Sequence, residues 1–332
     1  SPSREAGASL LFEAPLRVLS AASLDEVEPL LDDVDIEVNH GRHAVGFVAY
    51  EAAPAFEPAF AAHRLDVLPL AWFGIFEAPL PHRDDAEATV PAALWRGRTS
   101  EQQYARAVES IRASIGRGDV YQVNYTVRLD VGIAGNAGGL YRRLLAAQGP
   151  GYGARIHTGR FELLSASPEL FFERRGDHIV TKPMKGTARR GRWLEEDDQR
   201  AEALAASEKE RAENVMIVDL LRNDLGRVAR TGSVAVPRLF DVERRPTVLQ
   251  MTSTIEATLQ GGVSTWDIFA ALFPCGSVTG APKIAASRAI ASLEDGSRGV
   301  YCGAIGHVAP GGQSTFSVAI RTVTHDHHTG RT

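Results

Sequence analysis

The chain has 332 residues, of which 44% are hydrophobic and 23% are charged, and its formal net charge is −5. This composition is typical of a globular protein with one large domain or two ordinary ones, and the acidic balance argues against sequence-independent binding to nucleic acid. The two cysteines lie far apart in the sequence, so no disulfide framework is implied. The N-terminus lacks the apolar stretch of a signal peptide, and no apolar run is long enough to span a membrane. We therefore expect a cytoplasmic protein.

The first part of the chain is predicted to form one unit of short strands with a helix. Strands are expected around residues 10–12, 44–50 and 70–76, and a helix near residues 24–32. Two prolines make residues 78–85 the best candidate for a linker. We expect one unit over residues 1–85 and a second, larger unit over residues 92–332.

The second unit is predicted to begin with a helix that has Ser100 as its N-cap and ends at the glycines 116 and 118. A strand follows over residues 121–129, with aromatic and aliphatic side chains on one face and Gln122, Asn124 and Thr126 on the other. A sheet that lines a polar cavity has this alternation, and so has a sheet with one face in solvent.

The rest of the chain alternates irregularly between short strands and helices. Strands at 162–165, 170–174 and 178–182 lead into the turn P-M-K-G-T at 183–187. A helix then runs from Ser207, which forms a capping box with Glu210, to residue 225, and a later helix runs from Pro282 to residue 293. Further strands are expected at 234–236, 252–257, 300–308 and 315–324. This order favours an α+β fold over a doubly wound α/β fold, and no dinucleotide-binding, Walker A, Cys/His metal or nucleophile-elbow motif is present.

Lys185 lies in the P-M-K-G-T turn between Pro183 and the pair Gly186 and Thr187. A lysine held beside polar backbone is a candidate amine nucleophile, provided that desolvation or a neighbouring cation lowers its pKa. The alternative is an ordinary surface β-turn with a solvated lysine.

Three further patterns indicate ion binding. Glu210 and Glu213 lie one helical turn apart, a spacing that can hold a hard cation, although the capping box alone explains Glu210. Arg321 is expected on the strand face opposite the apolar side chains of residues 316–320, where it can bind a carboxylate bidentately. The Gly-rich turn at 276–283 precedes a helix, so it is either an anion site or an ordinary helix cap.

A series of motifs from residue 121 onward resembles, in the same order, the motifs of the chorismate-utilising enzymes. They are Y-Q-V-N (121–124), S-A-S-P-E (165–169), P-M-K-G-T (183–187), S-E-K-E-R-A-E-N (207–214), D-L-L-R-N-D-L-G (219–226), G-S-V-T-G-A-P-K (276–283), Y-C-G-A-I-G (301–306) and A-I-R-T (319–322). The resemblance implies an intertwined two-sheet α/β sandwich with helices outside and the active site between the sheets. It also implies that residues 1–85 are the variable N-terminal region of a synthase large subunit and that residues 92–332 are the chorismate-binding catalytic domain.

The resemblance implies roles for individual residues as well. Glu169 takes the position of the family's general acid, and Glu213 matches a ligand of Mg²⁺, with Glu210 one turn before it as the second ligand. Residues expected to bind the substrate are Gly186, Thr187, Gln250, Gly276, Ser277, Thr279, Tyr301 and Arg321.

Three positions bear on which member reaction is expected. Members that add water have a lysine base where this chain has Gln122, and anthranilate synthases usually have a small residue where it has Lys185. The lysine form resembles the aminodeoxychorismate synthases, in which the amine attacks C2 of chorismate, the C4 hydroxyl leaves and ammonia then enters at C4. Gln250 replaces a histidine common in anthranilate synthases, which favours the non-aromatising reaction. The alternatives are anthranilate synthase component I and a non-catalytic subunit that binds chorismate or tryptophan.

The resemblance also implies partners for the chain. Ammonia in this family usually comes from a glutamine amidotransferase, and no glutaminase Cys-His motif is present, so we expect a separate or fused partner of that kind. Some full-length relatives are fused to a downstream aminodeoxychorismate lyase. Relatives continue past the A-I-R-T strand into a segment with another glutamate pair for Mg²⁺, so we expect the catalytic domain to be incomplete at its C-terminal end, with weak metal binding and turnover if it ends at Thr332.

Overall fold

The computed structural model describes residues 9–81, 93–133, 137–149 and 151–332. The strands are β1 (Arg17–Ala21), β2 (His43–Val48), β3 (Ala71–Phe76), β4 (Ala93–Gly97), β5 (Gln122–Val123), β6 (Leu129–Ile133), β7 (Tyr152–His157), β8 (Phe161–Ser167), β9 (Leu170–Arg175), β10 (His178–Lys182), β11 (Met184–Arg189), β12 (Ala235–Arg244), β13 (Val248–Thr258), β14 (Gly280–Ala281), β15 (Ala304–Ala309), β16 (Gln313–Val318) and β17 (Thr322–Asp326). The helices are α1 (Val27–Asn39), α2 (Ala53–Phe56), α3 (Glu101–Arg117), α4 (Ala137–Gln148), α5 (Leu194–Ala206), α6 (Glu208–Gly226), α7 (Thr265–Leu272), α8 (Gly276–Thr279) and α9 (Lys283–Leu293). The predicted α+β class is confirmed.

Ten strands form one large antiparallel sheet in the order β1-β3-β2-β15-β16-β9-β10-β13-β11, with β12 beside β13. A three-stranded sheet has the order β17-β8-β7, and β4–β6 and β5–β14 are separate pairs. The N-terminal strands join the large sheet because β2 pairs with β15. The division between residues 85 and 92 stays a prediction, and positions 82–85 of the predicted linker lie outside the described residues.

The chain passes between the two larger sheets at two adjacent places. Strand β8 belongs to the small sheet and β9 to the large one, with Pro168 and Glu169 between them, and β16 and β17 are divided in the same way at residues 319–321. The two crossings are joined, since Val318 N donates to Glu169 O at 3.1 Å and Ala166 N donates to Arg321 O at 3.1 Å. The sheets are therefore intertwined, as predicted, and the single strand expected over 315–324 is two strands.

Side-chain caps fix the ends of two helices. Ser100 and Gln103 form a full capping box at the start of α3, and Gly118 ends that helix with a left-handed φ of 80°. At α6 the Ser207 hydroxyl accepts from Glu210 N. The Glu210 carboxylate does not return that hydrogen bond, so the predicted capping box is only half formed, and the carboxylate is free for another role.

The strand predicted over residues 121–129 is largely wrong. Only Gln122–Val123 and Leu129–Ile133 are strands, and three of the five side chains on the apolar face are exposed, with Tyr121 67%, Val127 43% and Leu129 50% accessible. The reason is a long-range contact, because Tyr121 N donates to Ala281 O and Asn124 N donates to Thr279 O. The segment thus pairs with the region around residue 280 and not with a larger sheet.

The main core lies between the large sheet and helices α1, α6 and α7. At its centre the ring of Phe269 packs edge-on against Phe172 and Phe316, with centroid distances of 5.6 and 5.1 Å. Cys275 and Cys302 are both buried free thiols. Among the described residues, none of the helices combines the length and the apolar character that crossing a bilayer requires.

Candidate active site

Lys185 lies in β11, where the register with β13 is irregular between Met184 and Thr187. Its amine donates to the Ser277 carbonyl at 3.0 Å and to Asn124 Oδ1 at 3.3 Å. Two of its hydrogen bonds are therefore made within the protein, so the alternative of a solvated surface lysine is wrong.

Gly186 and Gln250 shape the strand beside this amine. Gly186 has a φ of 90°, a value that favours glycine, and a Cβ there would lie only 3.1 Å from Glu210 Oε2. The Gln250 amide donates to Gly186 O at 2.8 Å, and the Thr187 hydroxyl donates to Gln250 Oε1 at 3.0 Å. Three of the predicted substrate-binding residues thus lie together, next to Lys185.

Glu169 occupies the crossing between β8 and β9 and is only 3% exposed. The Ser277 hydroxyl donates to Glu169 Oε1 at 2.5 Å. Burial raises the pKa of Glu169 to about 7, against the opposing effects of the Ser277 hydrogen bond and the Lys185 charge. A buried carboxyl with this pKa can donate a proton near neutrality.

The Lys185 amine is electrostatically linked to Glu169. Desolvation lowers the pKa of Lys185, and the negative charges of Glu169 and Glu213 oppose that shift. Ser277 connects the two groups, since its carbonyl accepts from Lys185 while its hydroxyl donates to Glu169. The buried acid and the partly buried amine are thus adjacent groups whose pKa values are shifted toward each other, which is typical of functional sites.

Ser277 belongs to α8, a buried single turn and not the start of a long helix. A Cβ at Gly276 would lie 2.2 Å from Leu220 Cδ2 of α6, so glycine lets these elements pack closely. The Thr279 hydroxyl donates to Cys275 O at 2.9 Å. The long helix α9 begins later, at Lys283, with Pro282 as its N-cap and not in its first turn. The Ser277 and Thr279 hydroxyls are used within the protein, and the predicted anion site at this turn stays a prediction.

Arg321 and Tyr301 were also predicted to bind the substrate. Arg321 is in the loop between β16 and β17 with a φ of 51°, so its predicted place on a strand face is wrong. Partial desolvation and, to a smaller extent, the charge of Arg245 lower the pKa of Arg321. Tyr301 is half-buried against the main core, and burial raises the pKa of its hydroxyl.

Asn124 is a site residue that the sequence did not single out as one. Its Oδ1 accepts from Lys185, while its Nδ2 and Gln122 Oε1 are buried and lack a hydrogen-bond partner among the described residues. Buried polar atoms without partners are rare in proteins and point to a ligand or to water. The alternation of polar residues at 122, 124 and 126 was the signal, although the strand that it predicted is not formed.

Glu210 and Glu213 face one common point on α6. Lys209 Nζ lies 3.4 Å from Glu210 Oε1 and 3.4 Å from Glu213 Oε1, so a single cation contacts both carboxylates. Glu210 is also the side chain closest to the position that a Cβ would take at residue 186. Within the described ranges, no cluster of three or more His, Cys, Asp or Glu side chains could hold a metal ion. Two carboxylates are nevertheless sufficient for Mg²⁺, which keeps several waters and also uses oxygens of the substrate.

The chain is similar to known proteins over most of its length. A family model described as chorismate binding enzyme matches residues 76–332. Aminodeoxychorismate synthase component 1 of Klebsiella aerogenes is 37% identical over 310 residues, which are 93% of this chain and 65% of that protein. Anthranilate synthase component 1 of Aquifex aeolicus is 36% identical over 231 residues, which are 70% of this chain and 47% of that protein.

The solved structure of anthranilate synthase component I from Streptococcus pneumoniae covers 100% of this chain and 86% of its own, with a TM-score of 0.87 at 25% identity. The predicted fold type is thereby confirmed. Further relatives at 34–42% identity are also named aminodeoxychorismate synthase component 1, so the resemblance to those proteins is confirmed. The chain spans about half to two thirds of the length of the first curated relatives that it matches. The chain belongs to the family of chorismate binding enzymes.

Proposed function

We propose that the chain converts chorismate and ammonia to 4-amino-4-deoxychorismate, as the first component of an aminodeoxychorismate synthase. The observation that carries this proposal is the partly buried Lys185 amine beside the buried Glu169 carboxyl, joined through Ser277. Relatives with the aminodeoxychorismate synthase name support it. Its product would serve the p-aminobenzoate branch of folate synthesis.

The chemistry proposed for the pair has two displacement steps. In the first, the neutral Lys185 amine forms a bond to C2 of chorismate, the ring double bonds shift, and the C4 hydroxyl leaves. Glu169 gives that hydroxyl its proton, so water departs. In the second, ammonia forms a bond to C4, the double bonds shift back, Lys185 leaves C2 as the neutral amine, and the new C4 ammonium returns a proton to the Glu169 carboxylate. Each step is easier than one direct displacement at C4.

The residues around the pair are proposed to bind and orient the substrate. The partnerless Asn124 Nδ2 can donate to a substrate oxygen. Three residues of β11 and β13 lie next to the amine and are proposed to contact the substrate: Gly186, Thr187 and Gln250. A substrate carboxylate is proposed to be bound by Arg321 together with Tyr301. A dicarboxylate needs several such partners, because a buried charge is costly without them.

Mg²⁺ is the proposed cofactor, with Glu210 and Glu213 as its protein ligands. When bound, the ion would neutralise a substrate carboxylate. The two carboxylates suit a cation because both already contact the ammonium of Lys209. Lys209 is exposed, so it can be displaced by a metal ion at little cost.

We expect Glu213→Gln to weaken Mg²⁺ binding in the presence of chorismate by about tenfold or more, since one of two charged ligands is lost. Lys209→Met should have the opposite effect and strengthen Mg²⁺ binding, because it removes a competing cation. Titration calorimetry with Mg²⁺ and chorismate measures both. Equal Mg²⁺ dependence in the parent and Glu213→Gln would remove Glu213 from this role.

The function is tested by identifying the products formed from chorismate, Mg²⁺ and excess ammonium at mildly alkaline pH. Mass spectrometry showing 4-amino-4-deoxychorismate would support the proposal. Anthranilate with pyruvate as the sole product would overturn it in favour of anthranilate synthesis, which the relative from Aquifex aeolicus makes the second candidate. Binding of chorismate without its consumption would favour a non-catalytic subunit.

The ammonia source is proposed to be a glutamine amidotransferase, since the relatives are named as component 1 of their synthases. A downstream aminodeoxychorismate lyase is proposed as the consumer of the product. Adding a purified glutaminase subunit with glutamine in place of ammonium tests the first partner directly.

A further inference from the structure

Arg298 is a buried cation outside the site itself, and its guanidinium contacts two separate segments of the site. Its side chain is 2% exposed. One segment contains Asn124, whose carbonyl accepts from Arg298 Nη2 at 2.6 Å. The other segment contains Val278, whose carbonyl accepts from Arg298 Nη1 at 3.0 Å.

These two segments supply both acceptors of the Lys185 amine. Asn124 provides its side-chain oxygen, and Ser277, next to Val278, provides its carbonyl. The segments also pair directly through β5 and β14. The guanidinium therefore contacts both of the segments that supply hydrogen-bond acceptors to the Lys185 amine.

Glu294 fixes the guanidinium in this orientation. It accepts from Arg298 Nε at 3.0 Å and from Nη2 at 2.6 Å, a bidentate pair with both side chains buried. The same carboxylate accepts from the backbone and the hydroxyl of Thr126, at 2.9 and 3.0 Å, two residues beyond Asn124. Glu294 thus binds the Asn124 segment a second time.

The N-terminal part of the chain holds Arg298 from the other side. Glu51 accepts from the backbone N–H groups of Arg298 and Gly299, at 2.5 and 2.9 Å. The guanidinium lies over the ring of Tyr50, 4.7 Å from its centroid. The contacts of Arg298 are therefore fixed by residues from three regions of the sequence.

We propose that Arg298 is a positioning residue, which keeps the Asn124 and Ser277 segments at the spacing that holds the Lys185 amine. This inference rests on the proposed function only for its effect on turnover. Lysine in its place keeps the charge but has no planar fork with which to contact both carbonyls and Glu294 at once. Loosening the segments would admit water to the amine and spoil its alignment.

The test is Arg298→Lys in the full chain, with Arg222→Lys as the matched control, because Arg222 forms an exposed ion pair with Asp219. We expect kcat to fall by about 10- to 100-fold with a smaller change in KM, as for a small displacement of a reacting group. Competitive acylation of Lys185 over a range of pH gives the pKa of its amine, and we expect that pKa to rise toward the value of an ordinary lysine. The control should change neither quantity.

The acylation measurement needs no chorismate, so it stays informative even if the chain makes a different product or none. An unchanged Lys185 pKa and an unchanged kcat in a folded Arg298→Lys would overturn the proposal. If Arg298→Lys does not fold, Glu294→Gln serves instead, since the glutamine amide keeps one acceptor oxygen and therefore weakens the bidentate pair with Arg298. The same rise in the Lys185 pKa is then expected, and its absence is again contrary to the proposal.

Discussion

Replacing Lys185 with alanine is expected to lower turnover of chorismate by at least about 10³-fold, because it removes the group proposed to form a bond with the substrate. Lys185→Arg should be nearly as damaging, since a guanidinium keeps the charge but does not act as an amine nucleophile. Single-turnover kinetics, with mass spectrometry of the intact protein, measures both the rate and the adduct. The parent chain should show an adduct with chorismate, and both variants should lack it.

Lys182 offers a matched control in the neighbouring strand β10. Its amine pairs with Glu243 and makes no contact with Glu169 or Ser277 among the described residues. Lys182→Ala should keep turnover within about threefold of the parent, in the range of a partly exposed ion pair. An adduct that persists in Lys185→Ala would show that another group attacks the ring, and the proposed mechanism would then be abandoned.

Replacing Glu169 with glutamine is expected to lower kcat by about 10²- to 10⁴-fold, the usual contribution of a general acid. The shape of the pH profile should change as well. The parent is expected to be active when Glu169 is protonated and the Lys185 amine is neutral. Its rate should therefore show a bell-shaped dependence on pH, and the two apparent pKa values of that bell belong to the coupled pair and not to either residue. The bell should include a limb near neutrality, because burial raises the pKa of Glu169 to about 7.

Glu169→Gln should retain only one limb, on which the rate rises with pH as the Lys185 amine loses its proton. Removing the negative charge of Glu169 should also lower the pKa of Lys185 further, since that charge raises it in the parent. Glu162→Gln is a suitable control, because Glu162 is equally buried in β8 but pairs with Arg155 and His327. A bell-shaped profile that survives in Glu169→Gln would assign the proton to a different residue.

Local signals in the sequence were sufficient for much of the fold. Ser100 and Gly118 bound α3 as predicted, and β10 has the bounds 178–182 that its pattern indicated. These features depend on neighbours within a few residues, so the sequence contains all of the information needed. Lys185 and Glu169 were identified through motifs that resemble a known family, and the structure adds that Glu169 is buried and Lys185 partly buried.

The failures concern segments whose structure depends on distant residues. Asn124 was predicted to lie on a long strand, but its backbone pairs with Thr279. The strand is interrupted at Arg321 because the chain leaves one sheet for another there, and no local sequence pattern indicates such a crossing. The link through Ser277 likewise joins residues more than ninety positions apart, and only the folded chain brings them together.

The pairing of β2 with β15 has a consequence for biosynthesis. A strand at His43–Val48 cannot find its partner until Ala304–Ala309 has left the ribosome. At a synthesis rate of about 5–20 residues per second, that delay is on the order of tens of seconds. During this interval the edge of β2 that will face β15 stays unpaired, while its other edge can pair with β3, so nascent chains are expected to depend on chaperones until the closing strands emerge.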